Sequence, residues 1–429
     1  MNVVTPILAT IGSAVEARSR FKDPERRVAL TARGWVALWL LVLLLISGSV
    51  GCQANQSATS LTSTAIPRLT LIPAPEGTGN YPLGYEWGYV DTDGDWIIEP
   101  RFEKARVFAE GLAAVQLGGK WGYIDQTGAI VIQPQFTEAH PFRGGTARVA
   151  TGPERLPGLG VTASAYGFVD KTGRMVIPAK WDEAGDFDEG LAAVMSGSKC
   201  GFIDTSGKVV IPLEFDMLGP FSEGLAQACV GGKYGYIDEK GEWGIKPQFK
   251  GLASAGLLDS RITYALGGRF KDGLAPVYSE GDYLDGGTCQ YIDETGTKAF
   301  PQVFQRGGEF SEGLAPVCVN DKWGFIDTSG RMVIEPQYEA LYGPEFYLLP
   351  DRGFHDGLAP VALDHKVGYV DKTGTFAVTP QYAYGSGFYG GFALVCTETY
   401  GLPNALLSST GRLIYRAGPI TDSSSTTSP

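Results

Sequence analysis

Carboxylates are the most numerous groups in this 429-residue chain that could do chemistry, with 47 Asp and Glu against 35 Lys and Arg. Asp91-Thr92-Asp93-Gly94-Asp95 gathers three of them as a calcium loop would, which makes Asp91, Asp93 and Asp95 the metal candidates. The downstream Glu of an EF-hand is missing and nothing else in the chain copies the cluster, so a plain turn is the simpler reading. Glu110, Glu189, Glu223 and Glu312 each precede a Gly and could be imagined as glycosidase acids. A catalytic pair should be singular, whereas these recur, so no catalytic residue is assigned. The three histidines, His140, His355 and His365, are scattered, which argues against a His-built metal site. No G-x-S-x-G, phosphate-loop, dinucleotide or zinc spacing occurs. No cofactor is expected, and the chain is expected not to be an enzyme.

The acids recur because the chain recurs. Trp87-Gly88-Tyr89-Val90-Asp91 returns as Trp121-Gly122-Tyr123-Ile124-Asp125 and as Trp323-Gly324-Phe325-Ile326-Asp327, with looser copies starting at Tyr166, Cys200, Tyr234, Cys289, Val367 and Asn404. Successive starts are 34, 45, 34, 34, 55, 34, 44 and 37 residues apart, so the base period is 34. Three positions after each Asp stands a Gly, as at Gly94, Gly128 and Gly173, which suits a hairpin turn. A second apolar strand follows and closes on a Pro. Then come a short segment, a Phe, an acid-Gly turn and a strand such as Leu112-Ala113-Ala114-Val115. The Phe is present in all eight full units: Phe108, Phe142, Phe187, Phe221, Phe270, Phe310, Phe354 and Phe388.

The 59 Gly and 26 Pro, about a fifth of the chain, fit many turns and argue against a helical protein. The fold expected is all-β: eight full and one partial four-stranded meander units of about 34 residues. Such units bury their apolar faces by stacking, in a propeller-like ring or an open β-solenoid. The first unit has no Leu-Ala-x-Val strand ahead of it, and residues 392–395 supply one near the end. That swap would close a ring, which is favoured. The worn ninth hairpin instead suits a solenoid with caps. The Trp and Tyr positions (Trp87, Trp121, Tyr166, Tyr234, Trp323), like the repeated Phe, read as core. Exposed platforms for sugars or cations are the alternative.

Cysteines sit in matched registers. Cys200 and Cys289 take the Trp position of their units, and Cys229 and Cys318 each follow 29 residues later. Disulfides Cys200–Cys229 and Cys289–Cys318 are possible in an oxidising compartment; small buried thiols are the alternative.

Lys120-Trp121-Gly122-Tyr123-Ile124-Asp125, the Ile-x-Pro strand ends and the Phe-Ser-Glu-Gly-Leu-Ala copies at Phe221 and Phe310 resemble the WG-repeat (KWG) proteins of bacteria. The resemblance covers residues 81–415 and implies an all-β module presenting an interaction surface, with no catalytic residues to carry over.

Residues 1–33 hold six basic and three acidic side chains, followed by an uncharged stretch whose apolar run spans residues 35–46. A basic lead, an apolar run and a small-residue exit read as an export signal, with the N-terminus on the cytoplasmic side. Ser49-Val50-Gly51-Cys52 resembles a bacterial lipoprotein box, which implies lipidation at Cys52. An uncleaved anchor is the alternative. Residues 1–52 are thus signal or anchor, 53–80 a Ser/Thr-rich tether, 81–418 the repeat domain and 419–429 a tail.

The formal charge of −12 and isoelectric point near 4.9 argue against nucleic acid. Taken together, these features point to a non-enzymatic binding module of the cell envelope. It would be held at the membrane by its N-terminus with the repeats outside the cytoplasm, and would engage a protein or an envelope polysaccharide. An envelope hydrolase is the alternative. Its site would lie in the insertions near residues 151–165, 250–269 and 339–353.

Overall fold

A computed structural model describes residues 72–76, 86–152, 165–250, 268–278, 287–341, 352–397 and 405–416. The lipid-anchor and tail assignments, including Cys52, fall outside these residues. Every regular element described is a β-strand. The strands form nine small antiparallel sheets in chain order: six of four strands, two of three and one of two. They are the blades of a β-propeller, numbered 1 to 9 here.

Blade 2 shows the plan. A two-residue strand, Lys104–Ala105, is followed by Leu112–Leu117, Lys120–Asp125 and Ile130–Phe136, each paired with the next. The last strand of a blade alternates exposed and buried residues and carries a Pro such as Pro134, so it is an outer edge. The two-residue strand lies at the inner edge. There, side chains two blades apart come within electrostatic range, as Arg106 of blade 2 does with Asp186 of blade 4.

The Gly of the Trp-Gly pair has a steric cause. The third and outermost strands slip register around it, between Trp121 and Tyr123 and again between Tyr123 and Ile124. This double bulge brings the carbonyl of Ile132 to 2.5 Å from where a Cβ on Gly122 would sit. Blade 9 has Ala405 at this place, and there the first slip is absent: Ala405 pairs directly with Arg416. Blade 6 has Gln290, and its last strand is reduced to isolated bridges, Cys289 to Phe304 and Ile292 to Lys298.

Neighbouring blades join through the repeat Phe. Its ring packs on the aromatic two places after the Trp position of the preceding blade, with centroids 4.8 Å apart for Tyr89 and Phe108 and 4.7 Å for Phe202 and Phe221. Six of the eight Phe are buried; Phe108 and Phe187 are half-buried. Burying such a ring contributes roughly 2–3 kcal/mol. Where that aromatic is Tyr, its hydroxyl donates to a carbonyl of the next inner edge, as Tyr123 does to His140 at 2.7 Å. Each turn Gly rests on an apolar side chain of the blade before it: a Cβ on Gly173 would lie 2.9 Å from Ile132 Cγ2.

The same contact closes the ring, since Gly94 of blade 1 rests on Ile414 of blade 9. Ala74, Val90 and Leu406 share a buried cluster across this seam, and Arg412 pairs with Asp93 at 3.7 Å. The closure differs from the expected swap. Phe392–Cys396 pairs with Ala405–Ser408 inside blade 9, and blade 1 takes its strand from Ile72–Glu76. The ninth hairpin is therefore the closing blade and not an end cap, because its apolar face finds blade 1. Blade 1 has no inner strand among the described residues. Pro73 and Pro75 fall in register with Ala114 and Gln116, whose carbonyls meet the inner strand of blade 2. Neither proline has an N–H to offer that edge.

Candidate functional site

The two ends of the propeller are built differently. At one end lie the acid-Gly turns and the Asp-x-x-Gly turns; this is the latch face. At the other lie the remaining hairpin turns and the links from one blade to the next.

On the latch face each turn acid reaches to the following blade. Glu189 accepts from the backbone N–H of Glu223 at 2.7 Å and of Gly224 at 3.0 Å. Glu223 does the same to Asp272 and Gly273, both at 2.9 Å, and Asp272 accepts from Gly313. Glu110, Glu312 and Asp356 hold Gly145, Gly357 and Gly391. These six acids all have left-handed backbone, φ 51–54°, which is strained for a residue with a Cβ. Glycine would be free of that strain, and glycine is what stands there, as Gly144 and Gly390, in the two turns that make no latch. Blades 3 and 4 are instead bridged by Arg143 and Asp188 at 3.3 Å. Burial would raise the Glu110 carboxyl, but hydrogen bonds from Lys171 and Gly145 outweigh it and hold it below its ordinary range. The acids that resemble a glycosidase set are thus tied to backbone, blade by blade. Their signal in the sequence was the acid-Gly step itself, but its partner lies one repeat away.

The inner edge of blades 2 to 4 carries a second ionic arrangement. Glu138 Oε1 lies 2.7 Å from His140 Nε2, and Tyr166 donates to Glu138 Oε2 at 2.6 Å. Arg148 contacts His140 Nδ1 at 2.9 Å, Asp186 Oδ1 at 3.0 Å, and the carbonyl of Ala184. A guanidinium can only donate, so His140 Nδ1 accepts and Nε2 carries the hydrogen: the imidazole is neutral. Burial pushes its pKa down, and Arg148 and Arg106 reinforce this against Glu138. Burial would raise Glu138, but the bonds from His140 and Tyr166 with the charge of Arg148 hold it at about 2. Arg269 and Glu309 form a comparable pair between blades 6 and 7, with contacts of 3.0–3.2 Å. Of these inner-edge groups the sequence singles out only His140 and Tyr166; the charged ones, Glu138, Arg148, Asp186, Arg269 and Glu309, carry no repeat signal that marks them.

The metal candidates do not form a site. Asp91 Oδ1 accepts from the N–H groups of Asp93, Gly94 and Asp95 at 2.9–3.0 Å, and Asp93 turns to Arg412. No group of metal-ligating side chains occurs among the described residues. The expected disulfides are also absent. Cys200, Cys229, Cys289 and Cys318 are buried and not joined in disulfides, and neither is Cys396. Cys200 packs with Leu218 and Ala228 between blades 4 and 5, whereas Cys229 packs with Tyr234 and Phe249 between blades 5 and 6. Cys289 and Cys318 are split in the same way. Ala228 faces Cys200, and the next residue, Cys229, points to the opposite side of the sheet. The Trp-position residues Trp121, Tyr166, Tyr234 and Trp323 are buried and Trp87 half-buried. Tyr389, 59% exposed, is the aromatic among the exposed large apolar side chains.

The opposite end is irregular. Tight turns such as Gly118-Gly119 and Asn320-Asp321 alternate there with longer connections. Residues 77–85, 153–164, 251–267, 279–286, 342–351 and 398–404, whose structure lies outside the described residues, all join strand ends at this insertion face. They include the insertions expected near 151–165, 250–269 and 339–353.

Comparison with known proteins accords with the repeat. A family model described as WG containing repeat matches residues 87–121, 121–152, 166–200, 201–234, 234–254, 291–323, 323–345 and 368–398, over half of the chain. Among solved structures the chain is similar to one described as a eukaryotic initiation factor, at 14% identity over 81% of this chain and 96% of that one, TM-score 0.48. It is also similar to the dihydro-heme d1 dehydrogenase NirN, at 11% identity over 86% and 75%, TM-score 0.39. A third is apo AztD from Citrobacter koseri, at 12% identity over 63% and 95%, TM-score 0.31. No curated protein matches the sequence. Eight matched repeats, laid out as blades of one propeller, place the chain in the WG-repeat family.

Proposed function

We propose that this propeller is a non-enzymatic binding module of the bacterial cell envelope. It is held at the membrane by its N-terminus, through lipidated Cys52 or an uncleaved anchor, with the repeats outside the cytoplasm. It takes hold of a protein or an envelope polysaccharide through the insertion face. One observation carries this reading: the six long connections between described strands all leave from that face, while six of the eight acid-Gly-type turns on the latch face are tied to a neighbouring blade. Departures from a repeat are where a scaffold carries private recognition. The latch acids, bound to backbone N–H groups, are unsuited to hydrolysis as they stand.

The test is capture from envelope extracts and binding to a glycan array by the full chain, beside a variant with residues 153–164 replaced by a two-residue turn. Loss of the partner with unchanged thermal stability is expected. Unaltered binding in variants shortened at each insertion in turn would count against the reading. Radioactive palmitate incorporation, abolished by Cys52→Ala, is the expected sign of the lipid anchor.

A further inference from the structure

Most of the half-buried charges at the inner edge of blades 2 to 4 are paired. Glu138 uses one oxygen for His140 and the other for Tyr166, Arg148 binds Asp186, and Arg143 binds Asp188. Arg106 has no hydrogen bond or ion pair to its side chain, and its Nε is buried without an acceptor. The guanidinium carbon lies over the Trp121 ring, 5.1 Å from its centre, a cation–π contact that uses the charge without accepting a hydrogen bond from its N–H groups. An arginine left in this state has a costly set of donors and no partner within the protein.

Arginine stands at this position in two of the eight blades. Two residues before the repeat Phe stand Arg106, His140, Gly185, Gly219, Gly268, Gly308, Arg352 and Ser386 in successive blades. The repeat does not require an arginine there. Arg106 is half-buried and so remains reachable, and Val107 beside it is 54% exposed, an apolar shoulder next to the cation. Glu138 and Asp186 act on Arg106 as negative charges and Arg148 of blade 3 as a positive one; both carboxylates already have partners of their own, in His140 and Tyr166 for Glu138 and in Arg148 for Asp186.

We propose that Arg106, stacked on Trp121, anchors a binding site for an oxyanion, a carboxylate or a phosphate, at the inner edge of blades 2 and 3. The planar fork suits both anions, since either can accept two parallel N–H groups. The site is independent of which partner the insertion face engages.

The test uses the full chain labelled with 15N-arginine, with the Arg106 Nε resonance assigned by its loss in Arg106→Lys. Sodium phosphate and sodium glucuronate are titrated separately at constant ionic strength against sodium chloride. A saturable shift of the Arg106 resonance with either anion is expected, and the anion that produces it identifies the source. Arg106→Lys keeps the charge but not the fork, and its affinity, read by titration calorimetry because it lacks the resonance, should be weaker about ten-fold or more; Arg174→Ala, at an exposed arginine, should bind as the parent does. Near-UV circular dichroism checks that the variants are folded. If Arg106→Lys is not folded, Trp121→Phe tests the cation–π contact through the same resonance and should weaken the anion. No shift with either anion, or equal affinity in Arg106→Lys and the parent, would overturn the site.

Discussion

The latch face and the insertion face are made by the same strands, yet they treat sequence oppositely. On the latch face the acid-Gly step recurs in six of eight turns, and each acid accepts strained backbone in order to hold the next blade. On the insertion face a two-residue turn in one blade becomes a long connection in another. The difference teaches that ring integrity is concentrated at one end, which leaves the other free to vary. A loop can lengthen at modest entropic cost when no inter-blade bond depends on it.

The largest effect should come from the frame that carries both faces. Gly122→Ala drives a Cβ into the Ile132 carbonyl, and should cost about 3 kcal/mol in urea unfolding. Ala405 shows the alternative, which is to lose the first bulge. A variant that kept its stability would mean the bulge is dispensable. Replacing residues 153–164 by a tight turn should change stability by less than about 0.5 kcal/mol, as the uninterrupted repeat already contains such a turn. Unfolding as severe as that of Gly122→Ala would erase the contrast between the faces.

Latch removal is smaller. Glu223→Ala should cost about 1 kcal/mol, comparable with losing a helix cap. Glu223→Gly loses the same bonds but relieves the left-handed strain, and should lie above the Ala variant. The reverse order would show that the carboxylate is not what the turn retains. Mildest is the acid response of the other latch-face turns. Hydrogen bonds from Ser or Thr hydroxyls hold Asp125, Asp170, Asp204, Asp293, Asp327 and Asp371 below the ordinary range, Asp170 at about 2. A depressed carboxylate contributes its stability above the unfolded value near 4 and loses it as pH falls toward the folded one. Amide exchange should therefore rise in these turns between about pH 4 and 2, ahead of the insertion-face turns.

Much of the frame was legible in the sequence, because a strand of alternating residues between Gly turns is a local pattern. The period, the Asp-x-x-Gly hairpins and the repeated Phe needed no partner to be read. What failed needed a second blade. Cys200 and Cys229 share a register, but only pairing shows that Ala228 faces Cys200 and that Cys229 points away. The strand at residues 392–395 suited blade 1 by motif, yet Ala405–Ser408 lies beside it and Ile72–Glu76, with two prolines, takes the place in blade 1. The glutamates of the acid-Gly turns recur visibly in the sequence. Their joint role emerged only from the carboxylate of one repeat meeting the N–H groups of the next.

The most direct test of the division between faces is site-specific photocrosslinking in the envelope. A benzophenone side chain would be placed in turn at the exposed insertion-face residues Asp364 and Asp321 and at the exposed latch-face residues Glu239 and Glu294. Adducts from Asp364 or Asp321, with none from Glu239 or Glu294, are the result expected of a module that binds through its insertions. Adducts confined to Glu239 and Glu294 would contradict it.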